Sequence, residues 1–96
     1  MQVASRAIHI NPSIVSADLD NETVLLNVET GLYFGLDELG SLIWSMLAEG
    51  ESRETISERL LAIYDVEPVR LLHDVDAFLD LLEANGLAYV NDPGTH

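Results

Sequence analysis

The spacing of apolar residues divides this chain into two parts with different periods. Up to Leu36, short apolar runs alternate with turn residues, which is the pattern of β-strands. From Asp37 onward, apolar residues recur every three or four positions, which is the pattern of amphipathic helices. The chain is therefore predicted to form a sheet first and helices afterwards.

A hairpin is the clearest β feature of the first part. Residues 23–28 form one predicted strand and residues 32–36 the return strand. Gly31 supplies the positive φ that the tight turn between them requires. Residues 7–10 predict a further strand, and residues 14–21 fit either a short strand or a loop.

Three helices are predicted in the second part, each with recognisable ends. Asp37 and Ser52 are suitable N-caps, and Pro68 suits the first turn of the third helix. Gly50 and Gly86 close the first and third helices. The predicted core stripes are Leu39, Leu42, Ile43, Met46 and Leu47 with Trp44 beside them; Ile56, Leu60 and Ile63; and Leu71, Val75, Phe78 and Leu82 with Leu72 and Leu79 beside them.

One flank of the third helix departs from this amphipathic pattern. Arg70, Asp74, Ala77 and Leu81 lie between the core face and the solvent face, and Leu81 is apolar although it lies outside the main stripe. We expect something to cover this flank in part. Residues 87–90 either add a short strand or pack on the core, and residues 93–96 are expected to fray after a single domain spanning residues 1–92.

The charge of the chain argues against several classes of ligand. Its 96 residues include 4 arginines, no lysine and 17 acidic residues, which gives a formal net charge of −13. A nucleic-acid binder gains its affinity from basic residues that neutralise phosphates, and anionic membranes demand the same. We expect no nucleic-acid and no membrane partner. Since no signal peptide or apolar span is visible, the expected location is the cytoplasm.

The sequence includes few of the residue patterns that are typical of catalytic or metal-binding sites. The chain has no cysteine, and its three histidines, His9, His73 and His96, are far apart in sequence. Residues 18–29 imitate the acidic positions of a calcium loop, but Thr23 stands where that loop needs glycine. No nucleophile motif or phosphate loop is present. We expect no enzyme activity, no cofactor and no metal.

The return strand is the best candidate for a binding surface. Residues 32–36 include no charge and no proline, whereas exposed edge strands are normally protected by such residues. An open edge of this kind accepts an extended peptide by β-augmentation. The alternative is that a helix or the N-terminal strand covers it.

The same residues carry a family resemblance. The stretch LLNVETGLYFGLDELGSLIW, from Leu25 to Trp44, resembles the signature of the PqqD-like family. Ser52, Ile56, Leu60, Tyr64-Asp-Val, Val75, Phe78-Leu-Asp-Leu-Leu and Gly86-Leu87 are similar to its second half, so the resemblance spans about residues 20–90. It implies an α+β, winged helix–turn–helix fold in which an N-terminal three-stranded antiparallel sheet precedes three helices.

The resemblance also implies a function. Members of this family are recognition elements that bind the leader of a ribosomally synthesised precursor peptide as an added strand and are not catalytic. The short chain is most similar to the discrete B1 proteins of lasso-peptide pathways, which work with a B2 leader peptidase, a cysteine protease, and with a cyclase. The peptide-binding residues that it implies here are Leu32, Tyr33, Phe34, Gly35, Leu36, Asp74, Ala77, Phe78 and Leu81.

Roles for these residues follow from the resemblance. Residues 32–36 are expected to supply backbone hydrogen bonds, with Tyr33 stacking on a leader aromatic residue or proline. Asp74 is expected to pair with a leader arginine or lysine, beside a groove wall built by Ala77, Phe78 and Leu81. Asp37, Gly40 and Trp44 are expected instead to hold the joint between strand and helix, as cap, close-packing residue and core residue.

Three alternatives stay open at this point. One is an acidic winged-helix adaptor in another enzyme complex, and another is a DNA-binding regulator. The third is a peptide chaperone of the pyrroloquinoline quinone (PQQ) type. Proteins of that type have a segment similar to LLAPE at the place where this chain has LLNVE, residues 25–29.

Overall fold

Two small antiparallel sheets and three helices make up the structure, a computed structural model that describes residues 7–20 and 22–91. The arrangement is the predicted α+β, winged helix–turn–helix architecture, with a three-stranded sheet before the helices. The elements in chain order are β1 (Ala7–Ile10), β2 (Ile14–Leu19), β3 (Glu22–Asn27), β4 (Tyr33–Leu36), α1 (Glu38–Ala48), α2 (Arg53–Ile63), α3 (Pro68–Ala84) and β5 (Ala88–Asn91).

The three-stranded sheet has the order β2-β3-β4, with every neighbouring pair antiparallel. β3 alternates in burial, and Thr23, Leu25 and Asn27 face the core. The hairpin between β3 and β4 turns at Gly31, whose φ is +77°, as predicted. The segment that fitted either a strand or a loop is a strand, β2, over six residues.

The N-terminal strand pairs away from this sheet. β1 and β5 form a separate two-stranded sheet, in which Ile8 lies opposite Val90. Both predicted alternatives hold for this segment, because Ala88–Asn91 form a strand while Leu87 and Ala88 are also buried in the core. β1 and β4 belong to different sheets, so the N-terminal strand does not cover the edge of β4. The predicted end of the domain at residue 92 and the fraying of residues 93–96 fall outside the described residues.

The helix boundaries follow the predicted caps. Asp37 and Ser52 are the N-caps of α1 and α2, and their side chains accept hydrogen bonds from Gly40 N and Thr55 N. α3 begins at Pro68, directly after an N-cap residue without a side-chain cap bond. Gly50 and Gly86 both have positive φ and follow the ends of α1 and α3.

The core lies where the three helices meet the inner face of β3. Its fully buried members include Leu25, Ile43, Ile56, Leu60 and Val75. α1 packs against β1, β3 and β4, whereas α3 packs against α2 and β5.

Two predicted core positions are wrong. Ile63 is 59% exposed because α2 ends there and the connector to α3 leads away. Leu72 is 39% exposed, while Leu79 takes a buried place in the α3 stripe. Phe78 is half-buried and packs against the core, as Leu39 and Leu42 do. In the described part of the chain, no helix is long and apolar enough to cross a membrane.

Candidate peptide-binding groove

β4 is an edge strand, as predicted. Within residues 7–20 and 22–91, it pairs with β3 on one side and with no strand on the other. Its inward residues are Phe34, half-buried, and Leu36, buried. Tyr33, 70% exposed, and Gly35 face outward. The side chains of β4 therefore alternate between the two faces of the sheet.

The phase of the hydrogen-bond ladder shows which backbone groups are free. Asn27 N donates to Leu32 O at 2.9 Å, so these directly opposed residues form a hydrogen-bonded pair. Such pairs alternate along an antiparallel ladder, which makes Phe34 and Leu36 the next residues bonded to β3. The N–H and C=O groups of Tyr33 and Gly35 consequently point to the open edge. Leu32 itself lies before β4 and is 57% exposed.

The end of β4 is fixed against α1 by one serine. Ser41 Oγ accepts a hydrogen bond from Thr23 N at 2.9 Å and donates one to Leu36 O at 3.3 Å. The hydroxyl thereby joins β3, β4 and α1. Trp44, one turn further along α1, is buried in the core as predicted.

The flank of α3 that the sequence singled out is open. Asp74 and Ala77 are exposed, and Leu81 is 56% exposed. With the half-buried Phe78, these residues lie within about 100° around the helix axis. Nothing among the described residues covers Leu81, so the flank offers an apolar surface beside one carboxylate.

A pocket lies between this flank and the start of α1. We call it the groove pocket; it encloses about 260 Å³ and is lined by Asp37, Leu39, Gly40, Ile43, Asp74 and Phe78. Asp37 directly follows β4, so the pocket lies at the carboxyl end of the edge strand. The structure therefore brings two of the predicted site residues, Asp74 and Phe78, together there.

Gly40 and Asp37 are more closely involved than the sequence suggested. A Cβ at Gly40 would lie 3.0 Å from Phe78 Cε1 and 3.1 Å from Asp37 Oδ1. Asp37 caps α1 and Gly40 allows close packing, as predicted, but both also line the pocket. Leu39 and Ile43 are further lining residues that sequence reasoning assigned only to the core stripe. Helical spacing places residues 39, 40 and 43 on one side of α1, which is the signal that was available.

The opposite side of α1 carries a larger and more acidic cleft. We call it the acidic cleft; it encloses about 610 Å³ between β2 and α1 and reaches Tyr64. Its carboxylates are Asp18, Asp20, Glu22, Glu38 and Glu49. Thr23 Oγ1 donates to Asp18 Oδ1 at 3.0 Å, and Arg59 lies 3.8 Å from Glu49.

Side chains that would indicate metal or acid–base chemistry are scattered. In residues 7–20 and 22–91, no group of three or more histidine or acidic side chains is arranged to hold a metal ion. The His9 ring lies against Tyr89, with ring centroids 5.4 Å apart. His73 is exposed on α3, and His96 is outside the described residues.

These features define a winged-helix protein with a free, uncharged strand edge and a pocket beyond the end of that strand, between α1 and α3. The sequence model described as coenzyme PQQ synthesis protein D (PqqD) matches residues 22–88, well over half of the chain. The chain belongs to the PqqD family. The comparison with curated proteins gives no match.

Two solved structures share both fold and sequence with this chain. One is "TbiB1 in Complex with the TbiA(beta) Leader Peptide", with 42% identity and a TM-score of 0.80, covering 83% of this chain and 93% of the other. The second is "Lasso peptide synthetase B1 complexed with the leader peptide", with 30% identity and a TM-score of 0.79, covering 85% and 96%. Both similar chains were therefore captured with a leader peptide.

Proposed function

We propose that this chain is a non-catalytic leader-peptide binding protein of lasso-peptide biosynthesis. It holds the leader of a ribosomally synthesised precursor in the cytoplasm and presents that precursor to a B2-type leader peptidase, a cysteine protease, and then to a cyclase. The observation that carries the proposal is the uncharged free edge of β4 beside the groove, in a chain 42% identical to one solved with a leader peptide.

The leader adds to β4 as an antiparallel or parallel strand through the free groups of Tyr33 and Gly35. Backbone hydrogen bonds of this kind give affinity with little demand on sequence, because every residue of the peptide offers the same N–H and C=O groups. Specificity then comes from side chains of the leader at alternate positions, half of which point toward the helices.

The α3 flank forms the other wall of the site. Phe78, Ala77 and Leu81 offer apolar contact, and exposed apolar side chains that line a groove commonly mark a binding surface. Asp74 adds a negative charge that favours a basic leader residue. Tyr33 lies on the outer face of the sheet and contacts the leader there, on the face that points away from the helices.

The absence of a catalytic step is part of the proposal. The site residues comprise backbone groups, apolar side chains and one exposed carboxylate, and they include no nucleophile paired with a base. Such a site holds a peptide without changing it, so cleavage and ring closure require separate enzymes.

The direct test is a titration of the purified protein with a fluorescently labelled leader of the precursor encoded beside it. We expect saturable binding, and the leader in scrambled order serves as the control. Failure of the native leader to bind at ~100 μM, which corresponds to about −5.5 kcal/mol, would overturn the proposal. Adding the partner peptidase then tests delivery, because leader cleavage is expected to accelerate when this protein is present.

A further inference from the structure

We propose that the groove pocket is a subsite for one basic side chain of the leader, arginine or lysine, and that Gly40 sets its depth. The inference rests on the proposed function, since it assigns a ligand to one part of the same site. It also gives residues at the start of α1 a second role: besides holding the joint between strand and helix, they line the subsite.

The walls of the groove pocket match the two halves of a long basic side chain. Leu39, Ile43 and the Phe78 ring are apolar and suit an aliphatic stem, while Asp37 and Asp74 are its ionisable lining residues. Long basic side chains bury their stems against apolar surface and keep their charged heads at polar groups or water. An arginine in the pocket satisfies both conditions at once.

Other side chains fit this lining less well. An apolar residue would cover two carboxylates without offering them a hydrogen-bond donor, which carries a desolvation cost. An acidic residue would meet two like charges inside a chain of net charge −13. Arg70 lies one turn from Asp74 on α3, but it is not part of the pocket lining, so the cation has to come from the peptide.

Gly40 controls the space that the side chain enters. A methyl group there would lie 3.0 Å from Phe78 Cε1 and 3.2 Å from Phe78 Cζ, closer than such atoms normally approach. Phe78 is half-buried, and its ring lines the groove pocket, so the free space beside the ring belongs to that pocket. The ring can therefore yield to a methyl group by moving into the pocket, which keeps the fold but fills the subsite.

The subsite is tested with a positional scan of the labelled native leader, in which each position is replaced in turn by arginine and by citrulline, its neutral isostere. At one position of the leader, the arginine peptide is expected to bind the wild-type protein about two- to fivefold more tightly than the citrulline peptide. This difference is the size expected for an exposed ion pair. This preference is expected to shrink in Asp74→Asn, where Asp37 is the remaining carboxylate, and in high salt; an unchanged preference in Asp74→Asn would remove Asp74 from the subsite.

The role of Gly40 is tested with the arginine peptide of that position. Gly40→Ala is expected to weaken its binding about fivefold, and Phe78→Leu in the Gly40→Ala background is expected to restore most of it, because the smaller side chain removes the overlap. Thermal unfolding of each variant shows whether the fold is kept. The Asp74→Asn measurement stands independently if Gly40→Ala does not fold.

The outcomes separate the subsite from the function. If wild-type protein binds the native leader but no position prefers arginine, the subsite is wrong and the proposed function stands. If a folded Gly40→Ala protein binds the arginine peptide as tightly as wild type, Gly40 does not set the depth. If the native leader does not bind wild type at ~100 μM, the proposed function itself fails.

Discussion

The two free edges of the three-stranded sheet differ in almost every property that governs peptide addition. β4 has four residues without charge and ends at the groove pocket, whereas β2 has six residues, includes Asp18 and borders the acidic cleft. Both leave backbone groups free among the described residues. Charge on an edge strand protects it from foreign strands, so the sheet is open at β4 and guarded at β2.

The hydrogen-bond phase sharpens this contrast. Val28 N donates to Ser13 O at 3.0 Å, which makes Val15 and Ala17 the residues bonded to β3. The free groups of β2 therefore belong to Ser16 and Asp18, whose side chains line the acidic cleft. A strand added there would lie directly beside the carboxylates, while a strand added at β4 meets an uncharged edge.

The largest effect is expected from a proline that removes the edge donor of β4. Gly35→Pro deletes an N–H that points away from β3 and places a ring where the leader strand would lie, while the ladder to β3 is kept. Leader affinity is expected to fall about thirtyfold, or ~2 kcal/mol. Fluorescence anisotropy measures the affinity.

Ser16→Pro is the matched control, because it removes the corresponding free N–H of β2. We expect the same leader affinity as wild type and a comparable unfolding temperature for both variants. Equal losses of affinity in the two variants would mean that the edges are not distinguished as described.

A second expectation concerns the hydroxyl that ties the sheet to α1. Ser41→Ala leaves Thr23 N and Leu36 O without their bonds to the hydroxyl, so the free energy of unfolding is expected to fall by about 1–2 kcal/mol. Ser45→Ala is the control, since its hydroxyl donates to Leu42 O at an exposed position, and a change within about 0.5 kcal/mol is expected. Urea unfolding measures both; similar values would show that Ser41 does not fix β4.

A third expectation concerns the α3 wall. Leu81→Arg replaces an exposed apolar contact with a bulky charge and is expected to weaken leader binding about fivefold, or ~1 kcal/mol. Leu72→Arg is the control, because Leu72 is also partly exposed but lies about 180° away around α3. Calorimetric titration of both variants decides the matter, and unchanged affinity in Leu81→Arg would remove Leu81 from the site.

The smallest effect on leader affinity is expected from substitutions at β2, the charged edge of the sheet. Asp18→Asn and Asp20→Asn lower the charge of the acidic cleft, and leader affinity is expected to change by less than about twofold, because screened charges away from the site contribute little. The same titration in low and moderate salt tests this. A large loss in either variant would place the peptide at β2.

Local patterns in the sequence were sufficient to predict most of the fold. Asp37, Ser52 and Gly31 act where their capping and turn chemistry indicated. Periodicity failed at Ile63 and Leu72, which continue a stripe beyond the point where another element packs on it. The length of a helix stripe does not show where its partner ends.

The candidate site was less accessible from the sequence. The uncharged strand and the Leu81 flank were visible, and the structure leaves both open. The pocket between Asp37 and Asp74 was not, because it depends on how α1 and α3 approach each other. That distance is set by Gly40 against Phe78, two residues 38 positions apart, and local patterns do not reveal such a contact.

Amide hydrogen exchange, followed residue by residue by NMR with and without saturating native leader, tests the central claim most directly. The account predicts that the amides of Tyr33 and Gly35 gain protection when the leader binds, while those of Ser16 and Asp18 exchange as before. Protection at Ser16 and Asp18, or unchanged exchange at Tyr33 and Gly35 in a saturated complex, would contradict strand addition at β4.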